Sequence, residues 1–428
     1  MTSGDLLLIG SPPENWSIKK IKYVFDERRE MNDPVKSEVL ISLTHDRGVI
    51  PHSEKGDIGN KEKNDLTKYK LVYPGDLVVN SMNVIIGSSG LSKYYGLVSP
   101  VYYMLKTRDP KMNPWYFHYL FRSVVFQKSL IGVGNGILEH RMRVSMEKLG
   151  SHRIPLPPTN EQQLISLYLD KKTKQIDSLI EKIRRKIELL KEQRTSLINQ
   201  CVTKGLDPNV EMKDSGIEWI GEIPNHWVVT KLKYESTLIL DGTHFTPSYT
   251  ESGVPFLRVT DITSDVIDLD NVKFISEDEH QELIRRCNPQ KGDLLLSKNG
   301  TIGKTKVVTW DWEFSIFVSL CLIRLKKSYS SHLLGMFFRS NLFETQIRNS
   351  SKQSTVTTLH LDKIREFILI KPPVEEQRDI VDQIDNHLRP IDELIEKEHS
   401  RTNLLKEYRQ SLISSVVTGK VRVTEDMI

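Results

Sequence analysis

The chain has 428 residues, of which 38% are hydrophobic and 27% charged, and its formal net charge is only +4. This composition is typical of a soluble protein of two or more domains, and so small a charge neither requires nor excludes a nucleic-acid partner. The three cysteines, Cys201, Cys287 and Cys321, lack CxxC spacing, which argues against a disulfide framework or a zinc site. No segment approaches the roughly 20 apolar residues of a membrane span, and a signal-peptide pattern is missing, so we expect a cytoplasmic protein.

Residues 1–156 predict a first globular domain of mixed α and β structure. The aliphatic run from Leu77 to Asn80 is typical of a strand, because a turn-forming Gly75-Asp76 pair precedes it. The apolar stretch from Asn113 to Gln127 is typical of a helix.

Residues 157–206 predict a long helix. Apolar residues recur at steps of four and three, a heptad pattern that indicates a helix packed against another helix. We expect Thr159 and Gln162 to form a capping box, and Gly205 lies just beyond the last periodic residue, as is typical of a helix end. The expected helix-packing positions are Ile176, Ile180, Ile183, Ile187, Leu190 and Leu197.

Residues 207–371 predict a polar linker, expected to be extended from Asp207 to Ile220, and then a second α+β domain. The domain has its own aliphatic strand pattern, Leu294 to Ser297, and its own helical pattern, Ser331 to Thr345. Its sequence differs from that of the first domain but shares a skeleton with it. The corresponding pairs include Trp16 and Trp227, Asp76 and Asp293, and Arg122 and Arg339.

Residues 372–428 repeat the long helix, because Pro157–Thr203 aligns without gaps on Pro372–Thr418. The helix is expected to break at Pro390, since proline lacks an N–H and clashes with the preceding turn. From Pro390 to Val417 it would measure about 42 Å at 1.5 Å per residue. The packing positions recur, interrupted by polar residues, at Ile391, Ile395, Leu405 and Leu412.

The predicted fold class is therefore α+β, with two pseudo-symmetric domains separated by two long helices. Each helix alone would expose an apolar stripe, so the two are expected to pack as a coiled coil. A pseudo-two-fold axis within one chain makes the pair antiparallel. The predicted division is 1–156, 157–206, 207–371 and 372–428.

This order of variable domain, repeated helix, variable domain and repeated helix resembles the specificity subunit of type I restriction-modification systems. Lys213 to Trp227 is similar to that family's linker into its second recognition domain. The Pro-Pro-x-x-Glu-Gln motif that ends at Gln162, and again at Gln377, is similar to the start of its helical regions. Loops like Asp241-Gly-Thr-His and Asn299-Gly-Thr-Ile-Gly occur in its recognition domains, but the first domain of this chain lacks both forms.

The resemblance implies that each domain recognises one half of a bipartite double-stranded DNA target, while the helix pair sets the spacer. It also implies docking of two methyltransferase (modification) subunits, which bind S-adenosylmethionine, and assembly with a restriction/translocase subunit. Half-sites one turn apart are separated by about 34 Å, which a helix pair of about 42 Å can span. No cofactor or metal is expected in this chain, and its expected role is non-catalytic recognition.

Residues that contact DNA are expected on loops, where Asn, Gln, Lys and Arg reach base edges and phosphates. The resemblance is more specific in the second domain. The candidates in the first domain are Asn80, Ser81, Asn83, Lys93, Arg141 and Arg143. The candidates in the second domain are Thr243, His244, Thr246, Lys298, Asn299, Lys304, Lys352, Gln353 and Thr358.

Three alternatives stay open at this stage. The first is a specificity subunit of a related methyltransferase or type II-like system without a separate translocase. The second is a coiled-coil tether without recognition function, and the third is a DNA-modifying enzyme. The enzyme alternative is weakened because the sequence has no Asp/Asn-Pro-Pro-aromatic tetrad for a flipped adenine and no paired metal ligands. A tether would not need two domains with polar loops.

Overall fold

The computed structural model of the chain describes residues 12–55, 65–133, 143–264, 266–350 and 358–428. It divides into two compact units. Unit 1 comprises Met1–Arg184 with His399–Ile428, and unit 2 comprises Arg185–Glu398. Over the described ranges, no helix is both long enough and apolar enough to cross a membrane.

Unit 1 contains ten strands and four short helices among its described residues. The strands are β1 Ser17–Lys20, β2 Phe25–Arg28, β3 Ile41–Thr44, β4 Gly48–Pro51, β5 Lys70–Val72, β6 Leu77–Asn80, β7 Ser89–Leu91, β8 Gly96–Val98, β9 Tyr102–Thr107 and β10 Arg153–Leu156. The helices are α1 Ile21–Val24, α2 Pro114–Arg122, α3 Val124–Ser129 and α4 Met146–Ser151. An antiparallel sheet in the order β2-β9-β6-β7 forms its centre, and β1 pairs with β10, β3 with β4 and β5 with β8.

The central sheet of unit 1 is covered on both faces, which explains the continuous apolar run in β6. Successive side chains of a strand point to opposite faces. Leu77 and Val79 therefore pack in the core that contains Phe117 of α2. Val78 lies between them in sequence but packs in a second core with Ile41 of β3. The predicted strand is confirmed, whereas the predicted helix is divided into α2 and α3 because Ser123 between them is extended, with φ −74° and ψ 142°.

The first long helix, α5 Thr159–Lys204, is continuous for 46 residues. It begins at Thr159 itself, and the Gln162 side chain does not form the expected capping box but donates to the Pro157 carbonyl at 2.8 Å. The helix ends before Gly205, whose φ of 75° lies in the left-handed region that glycine tolerates best. The predicted end of this helix is confirmed.

Unit 2 repeats this plan with different loops. Its strands are β11 Met212–Asp214, β12 Glu222–Pro224, β13 Val228–Lys231, β14 Ser236–Asp241, β15 Val254–Leu257, β16 Lys273–Ile275, β17 Leu294–Ser297, β18 Thr305–Val307, β19 Ser315–Ile316, β20 Leu320–Leu325 and β21 Ile368–Lys371. Its short helices are α6 Leu232–Glu235, α7 Glu277–Ile284, α8 Ser331–Phe338, α9 Asn341–Ser350 and α10 Leu361–Arg365. The central sheet has the order β14-β20-β17-β18, which matches the order in unit 1.

The central sheet of unit 2 is also buried on both faces. Leu294 and Leu296 pack with Phe337 of α8, whereas Leu295 packs with Phe314 in a separate core. The expected extended linker before this domain is wrong in its second part, because β11 and β12 form an antiparallel hairpin there. A further three-stranded sheet has the order β16-β15-β19.

The second long helix, α11 Val374–Val417, runs for 44 residues, about 66 Å at 1.5 Å per residue, and contains Pro390. The expected break at Pro390 is therefore wrong, and so is the shorter length of about 42 Å. Leu388 and Ile395 on either side of the proline are 3% and 8% exposed. Their packing outweighs the cost of an interior proline, about 3 kcal/mol, while the exposed Pro390 itself adds no burial.

The two long helices pair in opposite directions inside each unit. In unit 1 the first half of α5 packs against the last part of α11, and Arg409 contacts both carboxylate oxygens of Asp177 at 2.9 and 3.1 Å. In unit 2 the second half of α5 meets the first part of α11, with Lys186–Glu398 at 2.7 Å and Arg194–Asp392 at 2.8 Å. The predicted α+β fold with antiparallel long helices is confirmed.

All ten expected helix-packing positions are buried or partly buried. Arg194, Glu398 and Arg409, which interrupt the heptads, form the ion pairs between the helices. Ile198, which the heptad pattern did not include, is fully buried. The buried positions are Ile176, Ile183, Ile187, Ile395 and Leu412, and the partly buried ones are Ile180, Leu190, Leu197, Ile391 and Leu405.

Candidate nucleic-acid interface

The loop after β14 in unit 2 is fixed by a close backbone contact. A Cβ on Gly242 would lie 2.0 Å from the Ile316 carbonyl oxygen, so only glycine allows this approach. Thr243 N then donates to the same oxygen at 3.1 Å, and Val318 N donates to the Thr243 carbonyl at 2.9 Å. The loop thus leaves the sheet in a defined direction.

The second loop, Ser297 to Lys304, is closed by the side chain of Ser297 and is hydrogen-bonded through its backbone to two other segments. The Ser297 hydroxyl donates to the Thr301 carbonyl at 2.5 Å and accepts from Lys304 N at 2.8 Å. Lys298 N donates to the Ser319 carbonyl at 2.9 Å, and Leu359 N donates to the Lys298 carbonyl at 2.7 Å. The two loops therefore present their side chains from a preorganised backbone.

Four side chains from these loops and from the segment after α7 form what we call the Asp241 cluster. Asp241, 5% exposed in its side chain, contacts Arg286 Nη2 at 2.5 Å, Lys298 Nζ at 3.2 Å and His244 Nε2 at 3.2 Å. Burial by itself would raise the pKa of the Asp241 carboxyl, but contacts with Arg286, Lys298 and His244 outweigh it and hold that pKa below its ordinary value. The cluster contains one carboxylate and two basic side chains, Arg286 and Lys298, so its formal charge is positive.

The surroundings of the Asp241 cluster suit a polyanion that carries planar bases. Phe245 and Tyr249, in the same loop region, are 59% and 43% exposed. Cationic side chains bind phosphates, and exposed aromatic rings can make apolar contacts with base edges in the major groove, such as the thymine methyl group. His244 is largely exposed, so it is the member of the cluster most accessible to a ligand.

The other candidates of the second domain are distributed around the same loops. Thr246, Lys304 and Thr358 are exposed, whereas Thr243 is buried at 7% exposure and Lys298 at 6%. Asn299 is partly buried, and its backbone pairs with that of Thr358, which brings Thr358 beside the Ser297–Lys304 loop. Lys352 and Gln353 lie outside the described residues, as does Arg141 of the first domain.

The candidates of the first domain are less exposed than expected. Asn80 is buried and its Oδ1 accepts from Met82 N at 3.0 Å, so its side chain caps the end of β6. Ser81 is fully buried. Asn83 is partly buried, Arg143 is exposed, and the exposed Lys93 lies with its Nζ 5.3 Å from the centre of the Trp115 ring.

The Asp241 cluster contains two features that sequence reasoning missed. Arg286 was not a candidate, because it follows α7 and no local motif marks it. Asp241 was noted only as the first residue of a turn motif, although its carboxylate joins both loops to Arg286. Ser81 of unit 1 and Lys298 of unit 2 occupy equivalent positions, four residues after Leu77 and Leu294, the first residues of the two aliphatic strands. The two domains therefore differ in charge at this position.

Metal-ion and thiol chemistry have no site among the described residues. Among the described residues, no group of three or more His, Cys, Asp or Glu side chains is arranged to hold a metal ion. All three cysteines are buried and free, and burial raises the pKa of the Cys287 thiol to about 12. Thiols of this kind are unreactive.

Comparison with known proteins identifies one family model that matches two segments of the chain, and relatives that are similar over most of its length. The family of type I restriction modification DNA specificity domains matches residues 13–189 and again 238–403. The type I restriction enzyme MjaVIII specificity subunit of Methanocaldococcus jannaschii is 26% identical over 83% of this chain and 83% of its own length. The EcoBI specificity subunit of Escherichia coli is 22% identical over 86% of this chain and 78% of its own length.

Solved structures share the fold. A chain from a study of complex assembly and conformational transition of the type I restriction-modification system superimposes with a TM-score of 0.69 at 17% identity, covering 96% of this chain and 100% of that one. The HsdS subunit from Thermoanaerobacter tengcongensis gives a TM-score of 0.52 at 16% identity, with 96% and 99% covered. Because the family model matches both halves and most of the sequence, this chain belongs to the type I restriction-modification DNA specificity family.

Proposed function

We propose that each of the two domains recognises one half of a bipartite double-stranded DNA target. The single observation that carries this proposal is that the domains share one sheet order but differ in the residues that follow the central strand, Ser81 in one and Lys298 in the other. A common scaffold with different loops suits two different half-sequences. Specificity subunits of this family take part in DNA recognition and do not catalyse, and they assemble with other restriction-modification subunits.

In this proposal the Asp241 cluster and its loops form the recognition surface of the second domain. Arg286 contacts phosphates, the buried Lys298 adds positive charge beneath the surface, and His244 and Thr246 reach the groove. The buried carboxylate of Asp241 keeps the two cations in place before DNA arrives. Preorganised side chains lose less conformational entropy on binding, which favours affinity and sequence discrimination.

The long helix pair sets the spacer between the two half-sites. Helices of 46 and 44 residues extend about 69 and 66 Å, which is ample for half-sites one turn, about 34 Å, apart. Ion pairs between the helices, such as Arg194–Asp392, oppose sliding of one helix along the other.

We further propose that the two helices dock two methyltransferase subunits through equivalent surfaces, one on each helix. Leu189, Glu192 and Ser196 lie on one face of α5, since they are three and four residues apart. The same residue types recur on α11, where Leu404 is 64% exposed, as Leu189 is 48% exposed on α5. Exposed residues have no packing reason to stay identical in two copies, so a shared partner accounts for them. The corresponding residues of α11 are Leu404, Glu407 and Ser411.

The partner subunits in this proposal bind S-adenosylmethionine and transfer the methyl group, and a restriction/translocase subunit joins the same complex.

A Leu189→Lys, Leu404→Lys variant keeps the packed helix face and should bind no methyltransferase, whereas each single variant should bind one copy. Light scattering of the mixed subunits measures the stoichiometry. Ser178→Lys, Glu393→Lys is the matched control, because these equivalent positions are exposed but differ in residue type. Retention of both copies by the double leucine variant would contradict this docking surface.

The experiment that tests recognition is methylome sequencing of cells that express this chain with its methyltransferase. We expect one methylated motif made of two short specific sequences separated by a fixed non-specific spacer. A single continuous motif, or methylation by this chain alone, would contradict the proposed function. A coiled-coil tether would give no sequence preference.

A further inference from the structure

Each long helix begins with a Glu-Gln pair whose glutamate contacts the domain that precedes it. In unit 1, Trp16 Nε1 donates to Glu161 Oε2 at 2.8 Å, and the Asn15 amide donates to the other carboxylate oxygen. In unit 2, Trp227 Nε1 donates to Glu376 Oε2 at 2.9 Å, and His226 Nε2 lies 2.8 Å from the same oxygen. We call each of these Trp–Glu contacts a helix anchor.

The glutamine of each pair holds the same helix turn at a second point of the domain. Gln162 is 1% exposed, and its Oε1 accepts from the backbone N of Asn113, the residue that caps α2. Gln377 is 2% exposed, and its Oε1 accepts from the backbone N of Ser330, the residue that caps α8. Two contacts at separate points restrict both tilt and rotation of the helix on its domain.

The donor of each helix anchor cannot adjust its position. Trp227 is fully buried and Trp16 is 8% exposed, so each indole is fixed by the core around it. An indole N–H is only a donor, and a hydrogen bond to a carboxylate is stronger than one between neutral groups. The carboxylate at the start of the helix is thereby fixed to the core of the domain.

A small change at the first turn of a long helix becomes a large displacement farther along it. A tilt of about 5° moves a point about 34 Å along the axis by about 3 Å, close to the rise of one base pair, about 3.4 Å. The direction of the helix on its domain is therefore a sensitive determinant of spacing. The same anchor occurs in both halves although the recognition loops differ, which points to a role in geometry and not in base identity.

We propose that Glu161 and Glu376 are positioning residues that fix the spacer length of the DNA target. The inference rests on the proposed function and adds to it that spacing depends on the helix anchors as well as on helix length. Glutamine in place of glutamate keeps an acceptor for the indole N–H, whereas alanine removes it. The two substitutions therefore separate the contact from the side-chain volume near the helix start.

The test uses the full chain assembled with its methyltransferase and three DNA substrates: the natural spacer, one base pair longer and one shorter. Glu376→Ala should raise the methylation rate on the altered spacers, relative to the natural one, by at least about tenfold, because it removes the charge-assisted hydrogen bond from Trp227 and the contact with His226. Glu376→Gln keeps a neutral acceptor for the indole N–H and should restore most of the wild-type preference. Glu375→Ala, an exposed neighbour in the same turn, is the matched control and should also match the wild type.

Equal loss of methylation on all three spacers in Glu376→Ala would overturn the inference, because it would show only weakened folding. An altered half-sequence would overturn it as well. Should Glu376→Ala fail to fold, Trp227→Phe removes the same N–H while keeping an aromatic ring in the core, and the same relaxed spacing is expected. If the wild-type complex itself shows no bipartite preference, the proposed function fails first, and the variants are not needed to reach that conclusion.

Discussion

Replacing Asp241 by Asn should destabilise unit 2 because it leaves a buried cation without its counter-charge. The Lys298 side chain is 8% exposed and that of Asp241 is 5% exposed. Removing one partner of a buried ion pair costs about 3 to 5 kcal/mol. We expect the lower end, about 3 kcal/mol, because asparagine keeps one acceptor oxygen and Arg286 and His244, 51% and 64% exposed, remain hydrated.

Urea unfolding followed by tryptophan fluorescence measures this loss in the full chain, since Trp310 and Trp312 belong to unit 2. The matched control is Asp311→Asn, which breaks the exposed Lys291–Asp311 pair, 58% and 79% exposed. An exposed pair contributes less than about 1 kcal/mol, so the control should change the free energy of unfolding little.

A second substitution shows whether the cost comes from the unpaired charge. Lys298→Met in the Asp241→Asn background removes the buried cation, so the double variant should be more stable than Asp241→Asn alone. The reasoning is refuted if Asp241→Asn costs no more than Asp311→Asn, or if the two substitutions at the cluster simply add.

The remaining predictions concern pH and DNA. The pKa of Asp241 is lowered in the folded chain. Its contribution to stability is therefore present above the ordinary carboxyl pKa of 3.8 and is lost as the pH falls through the lower pKa of the folded state. Urea titrations should show that Asp241→Asn loses less stability at acid pH than the wild type does. Exchanging residues 241–247 for those of another member of the family should change only the half-sequence recognised by the second domain, and a change in both half-sequences in the methylome would contradict this. Inserting about one helical turn, four residues, between Ile176 and Leu197 should change the spacer and leave both half-sequences unaltered, and methylation mapping that shows altered half-sequences would disprove the spacer role.

The helix pair was predictable because its determinants are local and repeated. Heptad spacing marks α5 and α11 in the sequence, Gly205 follows the end of α5, and the ungapped repeat indicates the symmetry of the two helices. Pro390 misled the prediction, since the intrinsic cost of a proline is local whereas the burial of Leu388 and Ile395 that offsets it depends on the partner helix.

The glutamine contact at the start of α5 shows a similar division. Gln162 and its Thr159 neighbour fit the spacing of a capping box, but the side chain bonds instead to Asn113, which is far away in sequence. No local pattern predicts this contact, because it exists only when the domain and the helix have folded together.

The sequence by itself determined the duplicated architecture, the aliphatic central strands and the family, because periodicity and repeated motifs are written along the chain. Only the tertiary structure decided which side chains form the candidate interface. Asp241, Arg286 and Lys298 come from three separate segments and meet through sheet order and loop closure. Electrostatic contacts depend on distance in space, and the sequence records only distance along the chain.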